Sequence, residues 1–383
     1  MTSEPIVRVG VVGLGMGRQH IEQFQKSPRA RVEAICDLNP LLLRQTADDF
    51  AIPHTFEDFD EFLARAEIDA VALVVPNFLH HPMALKALER GLHVMGEKPM
   101  AMDAREAREI REAVRRSGRR FMVHSSQRFQ PEYQFFKSLI GEGKLGNLYY
   151  ANAGWRRMRG LPASGGWYGV KAKSGGNPLI DLGVHLLDLT RWLMGNPKAV
   201  TVSACTFARL GEGEAQPKAV DELASALIRF DNGACLLLEV SWVLNFEERE
   251  KVYLELSGLK GGLSSITYDY RDTTTCLFHE ENGVMVKTVP LHYPNALESA
   301  QEHFIRCILE DREPEANADD GLEIMRILDA IYESARIGRE IELRHVDLTV
   351  EMPPGPAIPA SEPFLLDVAV AEANIPANGL ASE

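Results

Sequence analysis

Three ionisable residues in this chain have the types and the setting that proton transfer requires. Lys98 stands in the run Glu97-Lys98-Pro99 directly after an apolar stretch, and Asp181 and His185 lie four residues apart in a strongly apolar segment. Ionisable side chains are costly to bury unless they are paired or used in chemistry. We therefore expect Lys98, Asp181 and His185 to form the proton-transfer set that a nicotinamide-dependent enzyme needs.

The segment that contains Asp181 and His185 predicts a helix with one polar face. Asp181, His185 and Asp188 follow one another at i, i+4 and i+7, and apolar residues fill most other positions. A polar stripe on a buried helix either lines a cavity or completes an internal hydrogen-bond network. A metal site is a third alternative because Asp and His can both ligate, but the sequence offers no evident third ligand, so we expect none.

A glycine-rich turn near the N-terminus predicts a dinucleotide site. The strand candidate Val7–Val12 runs into Gly13-Leu14-Gly15-Met16-Gly17-Arg18, and a helical pattern follows. Glycines here let the backbone approach a pyrophosphate, which then lies at the helix N-terminus. The third glycine comes one position earlier than in the usual G-x-G-x-x-G pattern, and Arg18 stands in its place.

Asp37 predicts which cofactor is bound. It ends the second strand candidate and lies 20 residues after Gly17. A carboxylate at this place accepts hydrogen bonds from the adenosine ribose and repels a 2′-phosphate, so NAD is favoured over NADP. Arg44 is the nearest basic residue and keeps NADP possible. The alternative for Asp37 is a helix cap for Leu38–Phe50.

Alternating strands and helices in residues 1–125 must position these groups. The predicted strands are Val7–Val12, Arg31–Cys36, Ala70–Val75, His93–Gly96 and Arg120–His124. The predicted helices are Ile21–Lys26, Leu41–Phe50, Met83–Arg90 and Ala104–Ser117. This alternation predicts an α/β class with an N-terminal doubly wound Rossmann domain, in which ligands bind beyond the carboxyl ends of the strands. Lys98 follows one of those strand ends.

Residues 126–345 show a different pattern. The predicted strands are Asn147–Trp155, Ala199–Ala208, Glu222–Phe230, Ala234–Val243, Lys251–Leu256 and Gly262–Tyr268, with helices at Pro178–Met194 and Gly321–Ile337. Successive strands joined by turn residues predict a C-terminal α+β domain with a large, mostly antiparallel open sheet. Residues 346–383 are rich in Pro and Ala and predict a tail that is disordered or lies on a neighbouring subunit.

Composition narrows the classes of partner. The chain has 383 residues and a formal net charge of −14, which argues against nucleic acid and anionic membrane surfaces. No apolar run approaches the roughly 20 residues that span a bilayer. The 5 cysteines are scattered, which predicts free thiols in a reducing cytoplasm.

The ordered motifs together resemble the Gfo/Idh/MocA oxidoreductases, which include glucose-fructose oxidoreductase and inositol dehydrogenase. The resemblance covers roughly residues 6–345. It rests on the glycine turn with His20, Val74-Val75-Pro76-Asn77-x-x-His80, Glu97-Lys98-Pro99, Gln127-Arg128-Phe129-x-Pro131, the run from Ser174 to His185, and Ser334-Ala335-Arg336-Ile337-Gly338. Two departures are the shortened glycine turn and Asn177, where many members have a third glycine.

The resemblance implies oxidation of a secondary alcohol of a sugar or cyclitol, or reduction of the ketone, with Lys98, Asp181 and His185 as catalytic set. Whether Lys98 or His185 is the base stays open. The implied cofactor contacts are Gly13, Gly15, Met16, Gly17, Arg18, Asp37, Pro76, Asn77, His80, Glu97, Lys98 and Arg128. Two other functions stay open: glycoside cleavage through transient oxidation at C3 by bound NAD, and non-catalytic regulation by an NAD-binding protein.

The aromatic and basic segments around residues 155–171 predict the substrate side of the site. Aromatic rings stack on sugar faces, and Arg or Lys donates to hydroxyls or to an acid group, so a sugar carboxylate or phosphate is conceivable. The alternative is an exposed basic loop or a subunit contact. Candidate substrate contacts are His124, Arg157, Arg159, Trp167, Lys171 and Asn177.

A homodimer or homotetramer is expected, because an open sheet would otherwise expose an apolar face. The residues assigned to that face are Leu236, Leu238, Val240 and Trp242.

Overall fold

The computed structural model describes residues 5–159, 171–176, 178–208, 221–269, 271–293 and 298–343. All of them belong to the first of two units, Met1–Thr349. The predicted tail at 346–383 lies outside the described residues, and so do Trp167 and Asn177. No helix in the described ranges is both long enough and apolar enough to cross a bilayer.

The N-terminal part is a six-stranded parallel sheet with helices between its strands, which confirms the predicted Rossmann fold. The sheet order is β3-β2-β1-β4-β5-β6. The strands are β1 Val7–Val12, β2 Ala30–Cys36, β3 His54–Phe56, β4 Ala70–Leu73, β5 His93–Gly96 and β6 Phe121–Val123. The helices are α1 Leu14–Lys26, α2 Pro40–Phe50, α3 Phe59–Arg65, α4 Asn77–Glu89 and α5 Ala104–Ser117.

Local signals set several of these boundaries. The central strand β1 is buried along nearly its whole length, as expected for a strand covered on both faces. Helix α5 begins where the Asp103 side chain accepts a hydrogen bond from Glu106 N at 2.8 Å, and it ends at Gly118 with φ of 65°. The predicted starts of α1 at Ile21 and of α4 at Met83 are wrong, because α1 begins one residue beyond Gly13 at the end of β1 and α4 begins at Asn77, after the short segment that follows β4.

The C-terminal part is a nine-stranded mixed sheet with the order β14-β13-β12-β11-β7-β10-β9-β8-β15, antiparallel except for the β7–β10 pair. The strands are β7 Leu148–Arg157, β8 Ala199–Phe207, β9 Leu223–Phe230, β10 Cys235–Ser241, β11 Glu250–Gly258, β12 Gly261–Tyr268, β13 Asp272–Glu281, β14 Val284–Thr288 and β15 Ile341–Glu342. The helices are α6 Pro131–Gly141, α7 Lys171–Ser174, α8 Val184–Leu193, α9 Ala300–Leu309 and α10 Ala318–Ile337. A π-helical segment, Leu179–Gly183, runs directly into α8.

The apolar face of β10 is covered by the protein's own helices. Leu236, Leu238, Val240 and Trp242 are at most 2% exposed, and Val240 packs beside Gly183 of the π-helical segment. The argument that these residues form an open face requiring a partner subunit is therefore wrong. The same packing fixes the π-helical segment, and with it Asp181, against the sheet.

Candidate active site

Lys98 and Asp181, which are 83 residues apart in sequence, meet at the carboxyl edge of the parallel sheet. Lys98 comes two residues after the end of β5, and its Nζ lies 3.2 Å from Asp181 Oδ1. The same ammonium donates to the backbone carbonyl of Asp181 at 3.0 Å. An ammonium has three donors, so two are occupied by Asp181 and one remains for a ligand.

Asp181 is oriented from its other side by Trp242. The indole Nε1 of Trp242 donates to Asp181 Oδ2 at 3.2 Å, and the Trp242 side chain is 1% exposed. Sequence reasoning missed this role because it placed Trp242 on an outer face. The available signal was the indole N–H itself, which usually has a partner when the ring is buried.

Trp242→Phe should lower kcat by about two- to tenfold, which corresponds to the roughly 0.5–1.5 kcal/mol of one hydrogen bond. The ring remains, so the fold should be retained, while Asp181 loses one of the groups that hold it toward Lys98. Steady-state kinetics test this, with Trp192→Phe as the control, because Trp192 Nε1 donates to Glu315 Oε2 at 2.8 Å outside this site. An unchanged kcat in Trp242→Phe would contradict the assigned role.

His185 lies in the first turn of α8, next to the Lys98–Asp181 pair. Its ring centroid is 6.1 Å from that of Trp155. Burial and the charge of Lys98 lower the pKa of His185 to about 3. The imidazole is therefore neutral at ordinary pH and can accept a hydrogen bond or a proton from a hydroxyl group.

A small cavity continues the site inward. Its volume is about 20 Å³, and its lining is mostly apolar but includes Lys98, Ser125, His185 and Asp188. A cavity of this size has room for about one water molecule. Asp188 faces it from the same helical stripe as His185, so the predicted stripe lines a cavity along part of its length.

Glu97 forms a buried cluster with two histidines. Its Oε1 lies 2.9 Å from His20 Nε2 and 2.6 Å from His124 Nδ1. Burial acts to raise the pKa of Glu97, but the two histidines prevail and hold it well below its usual range. His124, predicted as a substrate contact, is thus engaged with Glu97. Among the described residues, His20, Glu97 and His124 are the group that could hold a metal ion, since their ligand atoms lie within 4.8 Å of one another.

The glycine turn at the start of α1 has the shape that a pyrophosphate needs. Gly13 has φ of 84°, and a Cβ there would clash with the carbonyl oxygen of Val74. A Cβ on Gly17 would lie 3.1 Å from Val11 Cγ1, whereas the space beside Gly15 is open. Gly13 offers no side-chain cap, and although Leu14 N donates to Asp37, the first-turn amides after it remain for an anion. These features fit the NAD that the sequence predicts.

Asp37 supports the glycine turn directly. Its Oδ2 accepts from Leu14 N at 2.7 Å, and its Oδ1 accepts from Asn39 N at 2.9 Å. Asn39, whose side chain accepts from Leu41 N and Leu42 N, caps α2. The helix-cap alternative for Asp37 is therefore wrong. The carboxylate stands beside the glycine turn, where an adenosine ribose is expected.

Asp37→Ala should reduce the preference for NAD over NADP by about tenfold or more, because the carboxylate is the group that repels a 2′-phosphate. Titration of both cofactors measures the ratio of dissociation constants. Asp48→Asn is the matched control, since Asp48 is an exposed acid of α2. A wild-type protein that binds NADP more tightly than NAD would remove this role from Asp37.

The other residues predicted to contact the cofactor either lie exposed or make contacts within the protein. Arg18 pairs with Asp49 at 2.6 Å, so its charge is already engaged, and Met16 is 50% exposed. Pro76 precedes α4, and the Asn77 side chain donates to the carbonyl of Ser174 at 2.7 Å. The ring nitrogens of His80 lie 2.6 Å from Pro99 O and 2.8 Å from Val75 O. These contacts hold α4 and the segment after β5 together.

Arg128 is placed in an internal ion-pair network. Its guanidinium lies 2.6 Å from Asp188 and 3.2 Å from Asp320, and it also donates to the carbonyl of Glu315. The Arg128 side chain is 0% exposed. Contact with a cofactor, as predicted from the resemblance, would require these ion pairs to break. In the structure, Arg128 links α8 to α10 through its ion pairs with Asp188 and Asp320.

Of the residues predicted to contact the substrate, Arg157 is bonded to a buried carboxylate, whereas Arg159 is exposed. Arg157 Nε donates to Glu250 Oε1 at 2.7 Å. Arg159 is exposed, and it donates to the carbonyl of Met158 at 2.6 Å and to Asn245 Oδ1 at 2.9 Å. Lys171 begins α7, but its side chain is not among those described. Glu250 was not predicted from the sequence.

Two family models match the chain over most of its length. One, described as an oxidoreductase family with an NAD-binding Rossmann fold, matches residues 7–125, and the other, described as the C-terminal alpha/beta domain of an oxidoreductase family, matches residues 137–343. D-glucoside 3-dehydrogenase of Escherichia coli is 29% identical over 358 residues, covering 90% of this chain and 99% of that protein.

Two further proteins show the same likeness. D-apiose dehydrogenase of Paraburkholderia graminis is 26% identical over 352 residues, covering 88% of this chain and 90% of that protein. The crystal structure of an aldose–aldose oxidoreductase from Caulobacter crescentus, complexed with glycerol, superposes with a TM-score of 0.75 at 26% identity, covering 88% of this chain and 99% of the other.

Proposed function

Because the chain belongs to the Gfo/Idh/MocA oxidoreductase family, we propose that it is an NAD-dependent dehydrogenase of a secondary hydroxyl on a sugar or cyclic polyol. One observation carries the proposal. Lys98 is held on Asp181 beside the neutral His185, at the sheet edge that also carries the glycine turn. The relatives named D-glucoside 3-dehydrogenase and D-apiose dehydrogenase support a sugar as substrate.

The groups of this chain have distinct roles in the proposed reaction. NAD, when bound, accepts the hydride of the carbinol carbon. The amides at the start of α1 and the carboxylate of Asp37 would hold the cofactor's pyrophosphate and adenosine ribose. Lys98 would use its remaining N–H to hydrogen-bond the reacting oxygen and stabilise the negative charge that develops there.

His185 would accept the hydroxyl proton because its imidazole is neutral. A pKa of about 3 makes the resting imidazole a weak base, so the charge that builds on the bound alcohol oxygen must assist the transfer. Asp181 would keep the Lys98 ammonium in place, with Trp242 holding its second oxygen. In this scheme Lys98 is the electrostatic group and His185 the base.

A substrate panel tests the proposal. The protein is incubated with NAD and inositols, free aldoses, anhydro-sugars, uronic acids and aryl glycosides, while NADH absorbance and released aglycone are followed. We expect NADH from a cyclic polyol or pyranose, since a rigid ring presents one hydroxyl to Lys98 and His185 at little ordering cost.

The other two functions give different signals in the same experiment. Aglycone release without NADH would assign redox-assisted glycoside cleavage in place of dehydrogenation. Binding of NAD with no signal in either channel would contradict the proposed activity and favour the regulatory function.

A further inference from the structure

A cluster of three side chains stands beside His185 on the helix-covered face of the large sheet. Trp155, Arg157 and Glu250 form it, and we call it the Trp155 cluster. Trp155 and Arg157 are two residues apart on β7 and therefore lie on the same face of the sheet. Glu250 of β11 lies opposite Arg157 in the strand register. The ring of Trp155 lies 6.1 Å from that of His185, so the cluster borders the proposed reaction centre.

The carboxylate of Glu250 holds the cluster together. Its Oε1 accepts from Trp155 Nε1 and from Arg157 Nε, both at 2.7 Å. The Arg157 guanidinium also lies over the Trp155 ring, 5.3 Å from its centroid. Glu250 is 1% exposed, so its negative charge faces the arginine rather than solvent. The Trp155 cluster therefore carries no net charge, although it contains an arginine.

The neighbouring charged groups are balanced as well. Lys98 is paired with Asp181 at 3.2 Å. The segment between the cluster and α7, residues 160–170, contains no Asp, Glu, Lys, Arg or His in the sequence. Lys98, beside His185, and Arg157, beside Trp155, are thus each paired with a carboxylate, whereas Arg159 lies exposed beyond the cluster and donates to Met158 O and Asn245 Oδ1. Burying a charge without such a partner is costly.

We propose that the Trp155 cluster lines the substrate site as a surface without net charge, which selects a neutral sugar over a sugar acid or sugar phosphate. Glu250 is the residue that sets this selectivity. The inference rests on the proposed function, because it takes Lys98 and His185 as the reaction centre. It replaces the expectation that Arg157 recognises an acid group on the substrate. Neutralisation by Glu250 removes the attraction that an arginine alone would exert.

The test uses two substrates that differ in one group, methyl β-D-glucopyranoside and the corresponding methyl glucuronide. The wild type should show a kcat/KM at least about tenfold higher for the neutral ring, because Lys98 and Arg157 are already paired with Asp181 and Glu250 and do not offset the desolvation of the carboxylate. Glu250→Gln leaves Arg157 without its carboxylate and should shift the ratio by about tenfold toward the glucuronide.

Arg157→Gln should shift the ratio in the opposite direction, since it leaves the Glu250 carboxylate alone in the cluster. Glu255→Gln is the matched control: Glu255 lies on the same strand but on the opposite face, where it accepts from Asn152 Nδ2 at 2.9 Å. The ratio should not change in this variant. Because Glu250→Gln and Arg157→Gln are expected to shift the ratio of the two kcat/KM values in opposite directions, either variant that folds is enough to test the inference.

A wild type that prefers the glucuronide, or a ratio that stays within about twofold in a folded Glu250→Gln or Arg157→Gln variant, would overturn the inference. If neither ring is oxidised, the substrate panel still decides the proposed function separately. Calorimetric titration of the same two compounds into the protein saturated with NADH then still measures the charge selectivity.

Discussion

Lys98→Met should reduce kcat by about 10³-fold or more, while the dissociation constant for NAD stays within a few-fold of the wild-type value. In the proposed reaction the Lys98 ammonium, held by Asp181, stabilises the charge on the reacting oxygen, and methionine keeps the approximate length of the side chain without its charge. NAD binding should persist because the proposed contacts of the glycine turn and Asp37 are made to the other half of the cofactor. Single-turnover kinetics and a cofactor titration measure the two quantities.

His185→Ala should lower kcat by about 10²–10⁴-fold, the range of a general base. Lys86→Met is the control for the lysine substitution, since Lys86 pairs with Asp60 at the surface of α4. A variant at position 98 or 185 that turns over near the wild-type rate would remove that residue from the catalytic set. Loss of NAD binding in Lys98→Met would instead point to a role in holding the cofactor.

Arg128→Met should lower the free energy of unfolding by about 3–5 kcal/mol, as expected when one partner of a buried ion-pair network is removed. The substitution leaves Asp188 and Asp320 buried with one cation fewer, and the ion pair that remains in the described residues joins Arg191 to Asp320 at 2.9 Å. Urea unfolding followed by intrinsic fluorescence measures the change.

Arg8→Met provides the comparison for Arg128→Met. Arg8 pairs with Asp69 at 2.9 Å, but both side chains are about two-fifths exposed, so its loss should cost less than about 1 kcal/mol. If Arg128→Met were no more destabilised than Arg8→Met, the network would not be the link between α8 and α10 that the structure indicates.

The sequence was most informative where the signal is local. Strand β5 and helix α5 have the predicted limits, because a short apolar run and a capped helix each carry their own boundaries. Short or exposed elements were missed. Strand β3 has three residues and no buried position, and β14 has five mostly exposed residues, so neither shows the alternation of apolar and polar residues that marks a half-buried strand.

The site was predictable only in part. The Lys98–Asp181 contact follows from two motifs whose residue types are costly to bury without a use. Trp242 and Glu250 were missed because their roles depend on contacts between elements far apart in sequence: the strand register places Glu250 opposite Arg157, and Trp242 Nε1 donates to Asp181 Oδ2. Arg128 was assigned to the cofactor because its partners Asp188 and Asp320 lie far away in sequence.

The most direct test of the central claim is to follow the hydrogen itself. A ring substrate from the panel, carrying deuterium on its ring carbons, is mixed with NAD, and the reduced cofactor is analysed by mass spectrometry. We expect the wild type to yield NADH with one deuterium and an oxidised ring. Lys98→Met should yield neither in the same time. NADH without deuterium, or no NADH from any ring although NAD binds, would contradict the account.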